Sequence, residues 1–143
     1  MAWTYRLGFA RRAFNVAATA AIRIGVAPPA SYILETRGRR TGELRSTPVS
    51  VVRHDGLRWL VAPYGVVGWV HNARAAGKVT LKRRGRSQEV GVQEATPDEA
   101  APVLRKYLRT YPVVAPFFDA GRKDPVERFT GEAAGHPVFR VDG

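Results

Sequence analysis

The chain of 143 residues contains no cysteine, which excludes a disulfide framework, a thiolate metal site, an iron–sulfur cluster and a cysteine nucleophile together. Its histidines, His54, His71 and His136, are far apart with no i,i+4 pair. Each reads as a turn, surface or core residue rather than a metal ligand. Long apolar runs are also missing. The longest, Ala13 to Ile22, is broken by Asn15 and Thr19 and ended by Arg23, short of the ~20 residues of a membrane span. Arg11-Arg12 before this stretch imitates a twin-arginine export signal, but Arg23 and then Pro28-Pro29 follow without a cleavage site, so the match is a coincidence of composition. None of Ser31, Ser46, Ser50 or Ser87 sits in a Gly-x-Ser-x-Gly elbow. Gly77-Lys78 lacks the spacing of a Walker loop, and no Gly-x-Gly-x-x-Gly follows a strand, which leaves a Rossmann nicotinamide site without support.

Acidic residues are scarce: 12 Asp and Glu stand against 23 Lys and Arg, a net charge of +11. The imbalance is local. Residues 1–86 hold 16 basic and 3 acidic side chains, whereas residues 87–143 hold 7 and 9. An anionic partner for the first part follows, and most of its bases are arginines, whose planar forks suit phosphate and carboxylate. At 45% hydrophobic residues the length suits one core and one domain spanning residues 1–143.

Read at 3.6 residues per turn, Trp3, Leu7, Ala10, Phe14 and Ala17 or Ala18 form one apolar stripe, with Arg6, Arg11 and Arg12 largely off it. This predicts an amphipathic helix within residues 1–27, packed on its own domain or docked on an anionic membrane surface. Tyr32–Thr36 and Arg45–Arg53 read as strands, and Asp55-Gly56 as a hairpin turn into a third strand, Leu57–Ala62. Trp69–Ala76 reads as a short helix stopped by Gly77. Val79–Arg83 and Ser87–Glu94 form another hairpin. Thr96, Pro97 and Glu99 predict a capping box opening a helix to about Thr110. Tyr111-Pro112 stops it, a short helical segment begins at Pro116-Phe117-Phe118, and a last strand fits His136–Val141. The pattern is an α+β single domain built on an antiparallel barrel, without repeats or linkers.

Lys78, Lys82, Arg83, Arg84 and Arg86 cluster near one hairpin, but no aromatics are interspersed for base stacking. Nucleic-acid binding is therefore the weaker account of that charge. The denser signal is Thr36-Arg37-Gly38-Arg39-Arg40-Thr41-Gly42-Glu43-Leu44-Arg45-Ser46-Thr47-Pro48-Val49. Its glycines let backbone amides approach a ligand, while Arg39, Arg40 and Arg45 can converge on an anion. From spacing alone, a soluble turn explains it equally well.

With Gly38-Arg39-Arg40-Thr41-Gly42, Arg45 and Pro48-Val49, then Leu60-Val61-Ala62-Pro63-Tyr64-Gly65, then Trp69-Val70-His71-Asn72-Ala73-Arg74-Ala75, the sequence resembles the deazaflavin-dependent nitroreductases. These are the A branch of the split β-barrel reductases that use coenzyme F420. The resemblance implies a split β-barrel with an N-terminal helix, a short inter-strand helix and a late helix. It also implies that Arg39, Arg40, Thr41 and Arg45 hold the coenzyme's phosphate and acidic tail. The backbone around Pro48-Val49 and Ala62-Pro63 would border the deazaflavin ring, and Trp69 and Asn72 would shape its pocket. The reaction would be hydride transfer from F420H2 to a quinone, enone or nitro compound, which needs no side-chain nucleophile. Tyr64, Ser50 or water would stabilise or protonate the product. FMN is the alternative coenzyme, since charge does not separate the two, and a non-catalytic flavin- or lipid-binding barrel is the alternative function.

Two departures bear on the substrate. The loop Tyr64-Gly65-Val66-Val67-Gly68 is shorter than in some relatives and lacks their lysine. After the late helix only Tyr111 remains of a tyrosine-rich segment, followed by Val113, Val114, Phe117 and Phe118. An acceptor pocket of Tyr111, Phe117 and Phe118 would thus be apolar and favour a hydrophobic quinone over a polar nitro compound. The expected location is cytoplasmic, with the N-terminal helix able to meet the inner face of the membrane.

Overall fold

The computed structural model describes residues 31–142. The amphipathic helix expected within residues 1–27 lies outside them, and so does its contact with lipid. Among the described residues no helix is long and apolar enough to cross a membrane.

Six strands alternate with two helices. Strands β1 (Ser31–Arg37), β2 (Leu44–His54) and β3 (Leu57–Val61) precede helix α1 (Gly68–Ala76). Strands β4 (Lys78–Arg83) and β5 (Arg86–Glu94) follow, then helix α2 (Pro97–Thr110), two 3-10 segments (Pro112–Phe117 and Val126–Glu132) and β6 (Val138–Asp142). All pairings are antiparallel, and the order β1-β2-β3-β6-β5-β4 closes into a barrel through β1 and β4. This is the split β-barrel, α+β, that the sequence predicted. Closure leaves no unpaired sheet edge.

Local chemistry sets the turns. Asp55 and Gly56 (φ 56° and 75°), and Arg84 and Gly85 (φ 51° and 75°), all take positive φ. Paired positive φ values match the twist of a two-residue hairpin. Gly77 ends α1 in the left-handed region at φ 70°, its N–H on the Ala73 carbonyl at 2.8 Å. At α2 the capping box is complete: Glu99 N–H donates to Thr96 Oγ1 at 3.2 Å, and Thr96 N–H donates to Glu99 Oε1 at 3.0 Å.

Alternation along the strands separates two cores. Leu34, Val51, Leu60, Leu81, Val90, Phe139 and Val141 fill the barrel, and Trp69, Val70 and Ala73 of α1 join them. Val52, Trp59, Val61 and Val138 point the other way, under Ala100, Val103, Leu104, Tyr107 and Leu108 of α2 and under Phe129. Cross-strand partners agree: Val51 faces Leu60 and Leu60 faces Phe139, whereas Val52 faces Trp59.

The other strands and α1 start or end within one residue of expectation, and two elements differ by more. The 3-10 segment starts at Pro112 and ends at Phe117, with Phe118 already extended; Pro112 occupies its first turn, where a missing N–H costs nothing. The last strand begins at Val138 rather than His136, because Pro137 cannot donate to a ladder and the His136 ring is held by other partners. The segment Val126–Glu132 has no apolar period long enough to announce it in the sequence.

Candidate active site

The β1–β2 connection is a built turn. Gly38 N–H donates to the Glu43 carbonyl at 2.7 Å and Gly42 N–H to the Gly38 carbonyl at 2.9 Å. A Cβ at position 38 would sit 3.1 Å from Thr41 Oγ1 and 3.3 Å from the Glu43 carbonyl, while Gly42 needs φ +74°. One glycine is required by space and the other by conformation. Arg37 closes the turn by donating to the Gly42 carbonyl at 2.8 Å, and Thr41 Oγ1 accepts from Glu43 N–H at 3.2 Å.

Asn72 fixes this turn to α1. Its Oδ1 accepts from the Arg39 backbone N–H at 3.2 Å and from the Arg39 guanidinium at 3.3 Å, and its Nδ2 donates to Thr36 Oγ1 at 3.1 Å. Both Asn72 and Thr36 are buried, so the network is shielded from water and each partner matters. Above it the guanidinium groups stay exposed. Arg45 meets Glu43 at 3.3 Å in a solvent-exposed pair of little intrinsic worth.

A cavity of about 430 Å³ opens between turn and helix, lined by Thr36, Gly38, Arg39, Arg40, Thr41, Arg45, Ser46, Thr47, Gly68, Trp69 and Asn72. That size lies within the ~300–1,000 Å³ of small-molecule sites. Among the described residues its walls carry three guanidinium groups and no carboxylate. Gly68 and Trp69 begin α1, whose first turn has neither an acidic residue nor a side-chain cap, so its N-terminal amides add to the positive end. Trp69 is buried and packs on Phe139 with ring centroids 5.7 Å apart, serving barrel core and cavity wall at once. Thr36, Ser46 and Thr47, which lie in the arginine-rich segment but were given no role of their own, and Gly68 join the lining, because small neutral residues carry no individual signal.

The remaining sequence-predicted residues lie outside this lining. Val49 packs against the barrel core, with Pro48 and Ser50 on the opposite face of β2. Ala62 is buried within the barrel and Pro63 begins the loop to α1. Tyr64 stands edge-on to Phe117 at 5.0 Å. Tyr107 and Tyr111 have ring centroids 4.9 Å apart. Burial pushes the Tyr107 hydroxyl well above its ordinary value, with lesser contributions from Tyr64 and Tyr111. The fold therefore gathers Tyr64, Tyr107, Tyr111 and Phe117 into an aromatic group where α2 and the first 3-10 segment meet the loop before α1. Phe118 does not face out of it: it is buried and stacks on His136 at 4.0 Å.

The F420H(2)-dependent quinone reductase family model matches residues 9–117. The chain belongs to that family. It is accordingly an oxidoreductase whose cofactor is coenzyme F420. Among solved structures, an F420-H2 dependent reductase, FDR-A, superposes with a TM-score of 0.57 at 20% identity, over 80% of this chain and 95% of that one. A chain described as a domain-swapped dimer gives 0.57 at 18% identity over 93% of both. Atu2129 of Agrobacterium tumefaciens, of unknown function, gives 0.57 at 13% over 91% of this chain and 55% of its own. At these identities the likeness is one of fold. No curated protein matches significantly. The lining of this quinone reductase family member's cavity fits such a coenzyme chemically: its guanidinium groups and helix amides suit an anionic tail, and Trp69 offers an apolar wall.

Proposed function

We propose that this chain reduces a hydrophobic quinone with F420H2, binding the coenzyme's phosphate and acidic tail at Arg39, Arg40 and Arg45 and receiving the quinone beside Tyr64, Tyr111 and Phe117. The observation that carries the reading is the carboxylate-free, three-arginine cavity held in place by the buried Asn72–Thr36 network. Bound F420H2 would supply the hydride. The chain's own residues bind and orient. Arg39 is pre-positioned by Asn72, so part of the ordering cost of binding is met before the ligand arrives. Arg40 and Arg45 close on the tail, Arg45 by exchanging Glu43 for the ligand.

Trp69 limits water at the inner wall, and the loop from Ala62 to Gly65 borders the reacting end. Negative charge developing on a quinone oxygen needs a donor. Tyr64 is our choice over Ser50, because Tyr64 stands edge-on to Phe117 within the aromatic group. Tyr107, whose hydroxyl holds its proton strongly, is a neighbour suited to keep donating a hydrogen bond rather than to ionise. The apolar 3-10 segment, with Val113 82% exposed, favours an apolar acceptor over enones or polar nitro compounds. The test is steady-state turnover with F420H2 and, in parallel, menadione, a cyclic enone and a nitroarene. Menadione is expected to react fastest; equal rates for all, or none above background, would overturn the acceptor assignment.

A further inference from the structure

A buried acid–imidazole pair joins the loop bearing Pro63 and Tyr64 to segments 118–120 and 132–136. Glu132 Oε1 accepts from the backbone N–H groups of Asp119 and Ala120 at 2.8 and 2.7 Å. Its Oε2 lies 3.3 Å from His136 Nε2. His136 Nδ1 lies 2.7 Å from the Pro63 carbonyl, and the ring is stacked on Phe118. Both side chains are buried, at 8% and 6% exposure. A carbonyl only accepts, so Nδ1 must carry a proton. Three segments with no strand pairing between them, 118–120, 132–136 and the loop after β3, thus meet on two side chains.

The loop's base is also held by Ala62 N–H donating to the Pro137 carbonyl at 2.9 Å, and Tyr64 stands edge-on to Phe117. Gly65 N–H reaches the Ala62 carbonyl at 3.3 Å and Val67 N–H the Gly65 carbonyl at 3.0 Å, both within the loop. Gly65, at φ +101°, would place a Cβ 3.5 Å from the Gly135 carbonyl, so loop and His136 segment lie side by side. We infer that His136, held by Glu132, is a positioning residue for the reduction: it fixes the Pro63 carbonyl and with it the placement of Tyr64 at the acceptor end, without touching the arginine cavity. This rests on the proposed placement of the acceptor beside Tyr64.

Three single variants of the full chain test it. H136Q keeps a donor towards Glu132 but gives up the Pro63 contact; H136N keeps a donor on the Nδ1 side; E132Q keeps the acceptor for 119 and 120 and can donate to a His136 that still holds Pro63. Amide hydrogen exchange across 62–67, F420H2 affinity by fluorescence titration and menadione turnover are measured on each. In H136Q, exchange at 65 and 67 and the fall in kcat are each expected to reach roughly tenfold, the scale of one buried hydrogen bond, with F420H2 affinity unchanged. E132Q and H136N should resemble the wild type in all three. Wild-type exchange or undiminished kcat in H136Q would overturn the inference, as would an H136N that loosens the loop as H136Q does, which remains decisive if H136Q does not fold. A wild type inert towards menadione would instead remove the acceptor reading, and exchange alone would then decide whether His136 anchors the loop.

Discussion

The two ends of the proposed site are built in opposite ways. At the β1–β2 turn the groups that would meet the ligand are exposed and long, while what is buried is the support: Asn72, Thr36 and the close approach at Gly38. At the aromatic end, Tyr107 and Phe118 are themselves buried, Tyr64, Tyr111 and Phe117 are half-buried, and the loop is held by Glu132 and His136. The contrast follows from physical chemistry. Guanidinium groups are costly to desolvate and reach a charged tail from water, so rigidity has to be placed beneath them. Aromatic rings gain from burial and form their own wall. Charge recognition and acceptor recognition should therefore be separable by mutation.

The largest separation is expected from Arg39→Ala/Arg40→Ala. Charge-assisted hydrogen bonds are each worth ~1.5–3 kcal/mol, so F420H2 affinity should fall by at least ~100-fold, while the melting temperature stays near wild type because both side chains are exposed. Fluorescence titration checks the first and calorimetry the second. Asn72→Ala acts on the support and should blur the distinction. It leaves Thr36 and the Arg39 N–H without their partner, at ~1–3 kcal/mol of stability, and weakens F420H2 binding by roughly tenfold. A variant that loses stability but binds F420H2 normally would separate the turn's order from its function.

Tyr64→Phe should leave F420H2 affinity intact and lower menadione kcat by roughly tenfold, the scale of one lost hydrogen bond to a developing charge; equal loss in affinity would mean the two ends are coupled. The smallest effect serves as a control. Thr96→Ala removes the cap of α2, costing about 1 kcal/mol of stability, and should change neither affinity nor turnover.

Most of the barrel was legible because local chemistry set it. Asp55-Gly56, Arg84-Gly85, Gly77 and the Thr96–Glu99 box each dictate one conformation, and period-two alternation fixes which residues face inward. The arginine turn stood out for the same reason, its glycines and charges being adjacent in sequence, although spacing alone left an anion site and a soluble turn equally good readings. What escaped is what depends on distant pairs. Asn72 was expected to shape a pocket, but its bonds to Thr36 and Arg39, 36 and 33 residues away, have no local signature. His136 lies four residues from Glu132, yet its other partner, Pro63, is 73 residues away. Phe118 was expected to line an acceptor pocket, and its stack on His136 is visible only once the segments meet. Ser50 alternates with core residues on β2, and which face it takes depends on the closure of the barrel.

The most direct test of the account is the structure of the full chain with F420 bound. The account predicts the phosphate and acidic tail within hydrogen-bonding distance of Arg39, Arg40 and Arg45, the ring running past Trp69 towards Tyr64. A tail seated against any other surface, with these three guanidinium groups left in solvent, would contradict it.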